Sequence, residues 1–260
     1  MVWLPPMLGW WAPAETLAGR KEQVAIYSAC YKLSLLVTIF IQAFRMAAEP
    51  FFFSRSREKN SRESYARIMR FFVATVCIMF LFVTLFIDQW KYFIGPKYWV
   101  GLNVVPVLLL ANICLGVYYN LAIWYKLSNK TYAGMVITLV GVVITIVINY
   151  TLIPRFGYTA SAWATLACYA AMMVLSYWWG QKVYPIPYRR KKLLIMFVTM
   201  LFIYASHLAL TEILSDIGGS RYFTIPIAIG LFLVYIQVII SIERNELRRI
   251  PLLAKWIRKN

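Results

Sequence analysis

The chain has 260 residues, of which 62% are hydrophobic and only 14% charged, with a mean hydropathy of +0.66. A soluble domain of this size carries about 25% charged residues, so the composition excludes an ordinary soluble globular protein and points to an all-α integral membrane protein. The net charge of +17 invites a nucleic-acid reading, but the basic residues are sorted by side of a membrane, and that sorting accounts for them.

A span needs roughly 20 apolar residues. Seven apolar segments can be read, at 24–53, 71–87, 102–125, 132–153, 159–180, 193–214 and 222–242. Of the 27 Lys and Arg residues, 19 fall in the loops 54–70, 126–131 and 181–192 and the tail 243–260. Only 6 fall in the alternate set, 1–23, 88–99, 154–158 and 211–221. The positive-inside rule then places the N-terminus outside and the C-terminus in the cytoplasm, and the excess charge serves topology and attraction to anionic lipid. Cys30, Cys77, Cys114 and Cys168 each lie inside an apolar run without a CxxC or a histidine partner. They read as small buried hydrophobes, and no metal or cofactor is expected.

Residues 1–23 form an external N-terminal segment, too short in apolar run to span, with tryptophans suited to an interface. An external start without a signal sequence suggests that something upstream is missing. The first span, VAIYSACYKLSLLVTIFIQAFRMAAEPFFF, carries Lys32, Gln42, Arg45 and Glu49 in otherwise apolar surroundings. At 100° per residue Ser34, Thr38, Gln42, Arg45 and Glu49 share a stripe about 80° wide, and Lys32 sits on its shoulder nearest Gln42. Such a stripe must face protein or a watery cavity. Arg45 and Glu49 are spaced i, i+4 and can neutralise each other, while Lys32 has no acid within a turn and either meets a ligand or snorkels to the interface.

The loop SRSREKNSRESYARIMR reads as basic and amphipathic, with Tyr65, Ile68 and Met69 available to lie on the inner surface. The second span, without a formal charge, reads as a lipid-facing scaffold. DQWKYFIGPKYW makes an outer turn of belt aromatics broken at Gly95-Pro96. In the third span Pro106 predicts a kink, and Asn112, Gly116 and Tyr119 share a face on which Asn112 needs a hydrogen-bond partner. Gly134, Thr138, Gly141, Thr145 and Asn149 stripe the fourth span, and Ala160, Ala164, Ala167 and Ala171 the fifth. Small residues at this spacing let helices approach closely, and the short PRFGY turn makes the two spans antiparallel neighbours. QKVYPIPYRRKK is a stiff linker on the inner side, separating five spans (24–180) from a terminal pair (193–242) and the basic tail (243–260). His207 in that pair reads as a packing residue before a proton relay.

The runs YKLSLLVTIFIQAFRMAAEPFFF (31–53), IWYKLSNKT (123–131), TLIPRFGYTASAWATLACY (151–169) and YPIPY (184–188) resemble, in order, the bacterial oligosaccharide flippases. These are the O-antigen-type members of the multidrug/oligosaccharidyl-lipid/polysaccharide exporter superfamily. The resemblance implies a MATE-like fold of two six-helix lobes with an extra C-terminal pair, of which this chain is similar to the C-terminal part only. It implies a multi-pass protein of the bacterial cytoplasmic membrane, and not an enzyme, that moves a polyprenyl-diphosphate-linked oligosaccharide through a cationic cavity by alternating access. Its partners would be membrane lipids, the lipid-linked oligosaccharide and the missing N-terminal lobe, with no nucleic acid. A diphosphate needs cations, which Lys32 and Arg45 could supply from within a span, and a sugar needs amides and aromatics, which Gln42, Asn112 and Tyr119 could supply; Glu49 completes the set of cavity candidates.

Two other classes compete. A membrane-embedded glycan polymerase or glycosyltransferase needs positioned acids, but Asp88, Glu212, Asp216 and His207 near the outer face lack motif spacing. A seven-span receptor matches in count alone, and no catalytic residue is assigned.

Overall fold

The fold is seen in a computed structural model, which describes residues 14–58, 60–216 and 224–247. Among these residues the chain is helical without strands: α1 (Ala14–Ser54), α2 (Ser61–Leu85), α3 (Ile87–Trp90), α4 (Val105–Leu121), α5 (Ile123–Leu127), α6 (Thr131–Phe156), α7 (Tyr158–Val183), α8 (Arg190–Asp216) and α9 (Thr224–Leu247). Two 3₁₀ segments, Lys91–Phe93 and Pro96–Val104, lead into α4. Seven helical stretches among the described residues are long and apolar enough to cross a bilayer, which makes this a multi-pass membrane protein. The expected tryptophans of the N-terminal segment and most of the basic tail lie outside the described residues.

The chain divides into two compact units, Met1–Tyr65 with Ile87–Pro187, and Ala66–Phe86 with Tyr188–Asn260. The break within the YPIPY linker falls where two prolines prevent a helix, and Gln181 Nε2 fastens the turn by donating to the Ile186 carbonyl at 3.0 Å. The grouping of five spans against two is corrected, however, because most of the second span belongs with the terminal pair.

In the first unit α4 packs on α1 and α7, and α7 on α6. Pro106 does not kink a helix: it is the second residue of α4, where the 3₁₀ segment passes into α-helix and a missing N–H costs nothing. The α6–α7 turn is a single residue, Gly157, at φ +57°, where the Gln23 amide oxygen lies 2.5 Å from the place a Cβ would occupy. Conformation and space both call for glycine there. The predicted packing stripe of α6 is partly right. Gly134 and Gly141 are buried with Ala133 and Ile137, Gly141 against Cys168 and Met172, while Thr138 points outward with its hydroxyl bonded to the Gly134 carbonyl. On α7, Ala160 and Ala164 are buried as the stripe predicts.

The second unit corrects the reading of α2 as a lipid-facing scaffold. Phe72, Val76, Cys77, Phe80 and Leu81 are fully buried; Phe80 meets Tyr204 of α8 edge-on and Phe82 meets Phe232 of α9. A span without charge packs as readily inside protein as against lipid, so lack of charge did not decide the matter. Tyr65 and Met69 are likewise buried and do not lie on the membrane, and Tyr65 donates to the Phe52 carbonyl at 2.8 Å within the first unit.

Candidate functional site

The six cavity candidates do not converge on one place. On α1 the buried face runs through Cys30, Ser34, Val37, Ile41, Ala48 and Phe52. Ser34 and Thr38 turn their hydroxyls back onto the carbonyls of Tyr31 and Ser34, the local bonding by which hydroxyls are satisfied inside a helix. Gln42, Arg45 and Glu49 are half-buried along one flank of this face, and the flank packs against α4 and α5.

The expected Arg45–Glu49 pair is absent. Glu49 instead accepts from Lys126 Nζ of α5 at 2.6 Å, both side chains about one-third exposed (37% and 30%). The Arg45 guanidinium lies over the Tyr119 ring of α4, 4.6 Å from its centroid. Partners from neighbouring helices take the place of the i, i+4 neighbour, a direct charge pair for Glu49 and a cation–π face for Arg45. Lys126, counted in sequence as a loop charge, is therefore part of this flank. Tyr119 also adjoins Tyr118, whose hydroxyl lies 3.4 Å from that of Tyr125. Asn112 is buried within α4, and its amide nitrogen has no hydrogen-bond partner among the described residues.

Lys32 is elsewhere. It lies about 140° around α1 from Arg45, at 100° per residue, on a face that is open along its length at Ser28, Leu36, Ile39, Ala43 and Met46. Ile39 is 66% and Met46 74% exposed. At 1.5 Å per residue Lys32 is about 8 Å from the midpoint of the stretch Lys21–Ser54. Among the described residues it makes no ion pair. This face differs from the outward side of α6, where Met135, Leu139, Val143, Val147 and Tyr150 are bulky and apolar throughout. A cation and small residues at membrane depth are what a lipid-facing surface avoids.

The acids weighed for a glycan enzyme fall in both units, Asp88 in the first and Glu212 in the second. Asp88 holds Lys91 at 2.5 Å, and Lys91 is buried beneath Trp99, whose indole donates to the Lys91 carbonyl. His207 is buried on α8 with Glu212 five residues further on, and the side chain of Asp216 lies outside those described. No three His, Cys, Asp or Glu side chains cluster as a metal site among the described residues.

The second unit holds a charge cluster that sequence reasoning missed. Arg70, 4% exposed, donates to Glu243 at 2.6 Å and to Glu246 at 3.1 Å; Glu243 is 1% exposed. Lys192 reaches Glu243 at 3.4 Å and the Ile242 carbonyl at 2.5 Å, and Arg67 reaches Glu246 at 3.4 Å. The signal was present in the sequence: an arginine entering an apolar span, and two acids spaced i, i+3 where another apolar run ends.

No protein-family model, curated protein or solved structure matches this chain.

Proposed function

We propose that the chain acts as the C-terminal part of a flippase for polyprenyl-diphosphate-linked oligosaccharide in a bacterial cytoplasmic membrane, with its N-terminus outside and its C-terminus inside. The observation that carries this reading is Lys32 on the open face of α1. A lysine at this depth needs an anion, and among the described residues no acid pairs with it. A diphosphate offers two charges and several acceptor oxygens, and in a low-dielectric setting its attraction to an ammonium is several times that in water. The small residues Ser28 and Ala43 on the same face leave room for a facing helical lobe or for substrate. The four sequence runs and the sorting of basic loops support the same reading.

On this reading the two cations of α1 differ in role. Lys32 meets the substrate, and Arg45, held over Tyr119, stiffens the flank that borders the open face. Gln42 lies between them around the helix and is placed for a sugar hydroxyl.

The test is binding of a polyprenyl-diphosphate-linked oligosaccharide to the chain in lipid nanodiscs, followed by native mass spectrometry. Retention of the intact glycolipid by the parent protein and at least a fivefold loss in Lys32→Ala support the reading. Equal retention by Lys32→Ala removes Lys32 from the site, and a shortened or extended glycan points to an enzyme instead.

A further inference from the structure

One polar side chain in the second unit faces outward where an apolar one belongs. Gln237 of α9 is exposed, three residues from the midpoint of the stretch Thr224–Arg244, or about 4–5 Å along the axis. Its carboxamide makes no hydrogen bond among the described residues. It is also about 10 Å from Arg244, so the short side chain cannot reach the headgroups as a lysine or arginine would. The packed face of α9, Ala228, Tyr235 and Ile239, lies on the other side of the helix. Pro226, Gly230, Leu233 and Ser241 share the outward face with Gln237 within about 80°. A Cβ built on Gly230, two turns away, would meet nothing within 4 Å. Through its middle the outward face of α8 is by contrast apolar, at Leu194, Val198, Phe202 and Leu208.

We infer that this face of α9 is the seat of a second copy of the chain, joined by paired Gln237 carboxamides across a two-fold axis. The argument is complementarity. A carboxamide carries both donors and an acceptor, so two copies related by a two-fold satisfy each other reciprocally, each nitrogen donating one N–H to the opposite oxygen. Leaving the group in hydrocarbon strands all of its hydrogen-bonding capacity. Gly230 lets the two backbones approach at the same face, where close packing is the main attraction between helices in lipid. Ser241 is not needed for the pairing, since its hydroxyl already donates to the Gln237 main-chain carbonyl at 2.8 Å. The inference requires only that the chain spans a membrane and does not rest on the transport reading.

The test uses the full chain in lipid vesicles, with the fraction of dimers read by single-molecule photobleaching across a series of protein-to-lipid ratios. Reversible dimerisation is expected, weakened about tenfold by Gln237→Leu, equivalent to ~1.4 kcal/mol, and largely kept by Gln237→Asn. Leucine at this exposed site touches no packed residue, so the variant should insert as the parent does; Gly230→Leu provides an independent loss through steric blocking. A cysteine at Leu233 should cross-link copy to copy, and one at Val198 on α8 should not. A chain that stays monomeric throughout the series, or a Gln237→Leu variant that dimerises like the parent, overturns the inference.

Discussion

Glu243→Gln should destabilise the second unit by about 3 kcal/mol, the lower end of the ~3–5 kcal/mol that loss of one partner of a buried pair costs. The pair is short and dry: Arg70 and Glu243 are 2.6 Å apart and 4% and 1% exposed. The loss falls at the lower end because Arg70 keeps Glu246 at 3.1 Å, while Lys192 keeps the Ile242 carbonyl. Removing both members, Arg70→Met with Glu243→Leu, should recover at least half of the loss, since an apolar pair of similar volume carries no desolvation cost. The assay is reversible unfolding of the full chain in mixed micelles by titration with sodium dodecyl sulfate, run as a double-mutant cycle. A cost below about 0.5 kcal/mol for Glu243→Gln, or a double variant as unstable as the sum of the singles, would refute the buried pair.

Three further outcomes follow from other contacts. In the same unfolding assay Glu49→Gln and Lys126→Met should be coupled by up to about 1 kcal/mol, a modest figure because both groups are one-third exposed, whereas Arg45→Ala and Glu49→Gln should be additive. Gly180→Ala should lower thermal stability by about 1–3 kcal/mol, because its Cβ would lie 2.6 Å from the Trp124 ring, while Gly141→Ala should cost less because the flexible Met172 side chain can move aside. Cysteines at positions 57, 130 and 190 should be labelled by membrane-impermeant thiol reagents only after the cells are opened; labelling of 57 or 190 from outside contradicts the proposed orientation.

The spans were legible because hydropathy over about 20 residues is a strong signal, yet their environments were not. Hydropathy cannot say whether an apolar face meets lipid or protein, and so α2 was misplaced although its end was read to within two residues; its start at Ser61 was missed by ten, because the charged first turns read as loop. The stripe on α1 was legible as a stripe from helical periodicity alone. What each member touches depends on α4 and α5, which bring Tyr119 and Lys126 within reach and replace the i, i+4 pair. The Arg70 cluster joins residues more than 170 positions apart, a distance over which periodicity carries no information. Lys32 was singled out by its lack of an acidic neighbour in sequence, and among the described residues it makes no ion pair.

The central claim is tested most directly by photo-crosslinking in cells that make a polyprenyl-diphosphate-linked oligosaccharide. A benzophenone amino acid would replace Ile39 on the open face of α1 or Leu139 on the outward face of α6, both well exposed. The account predicts a glycolipid adduct at position 39 that disappears with Lys32→Ala, and none at 139. Equal adducts at both positions, or an adduct at 39 that survives Lys32→Ala, would contradict it.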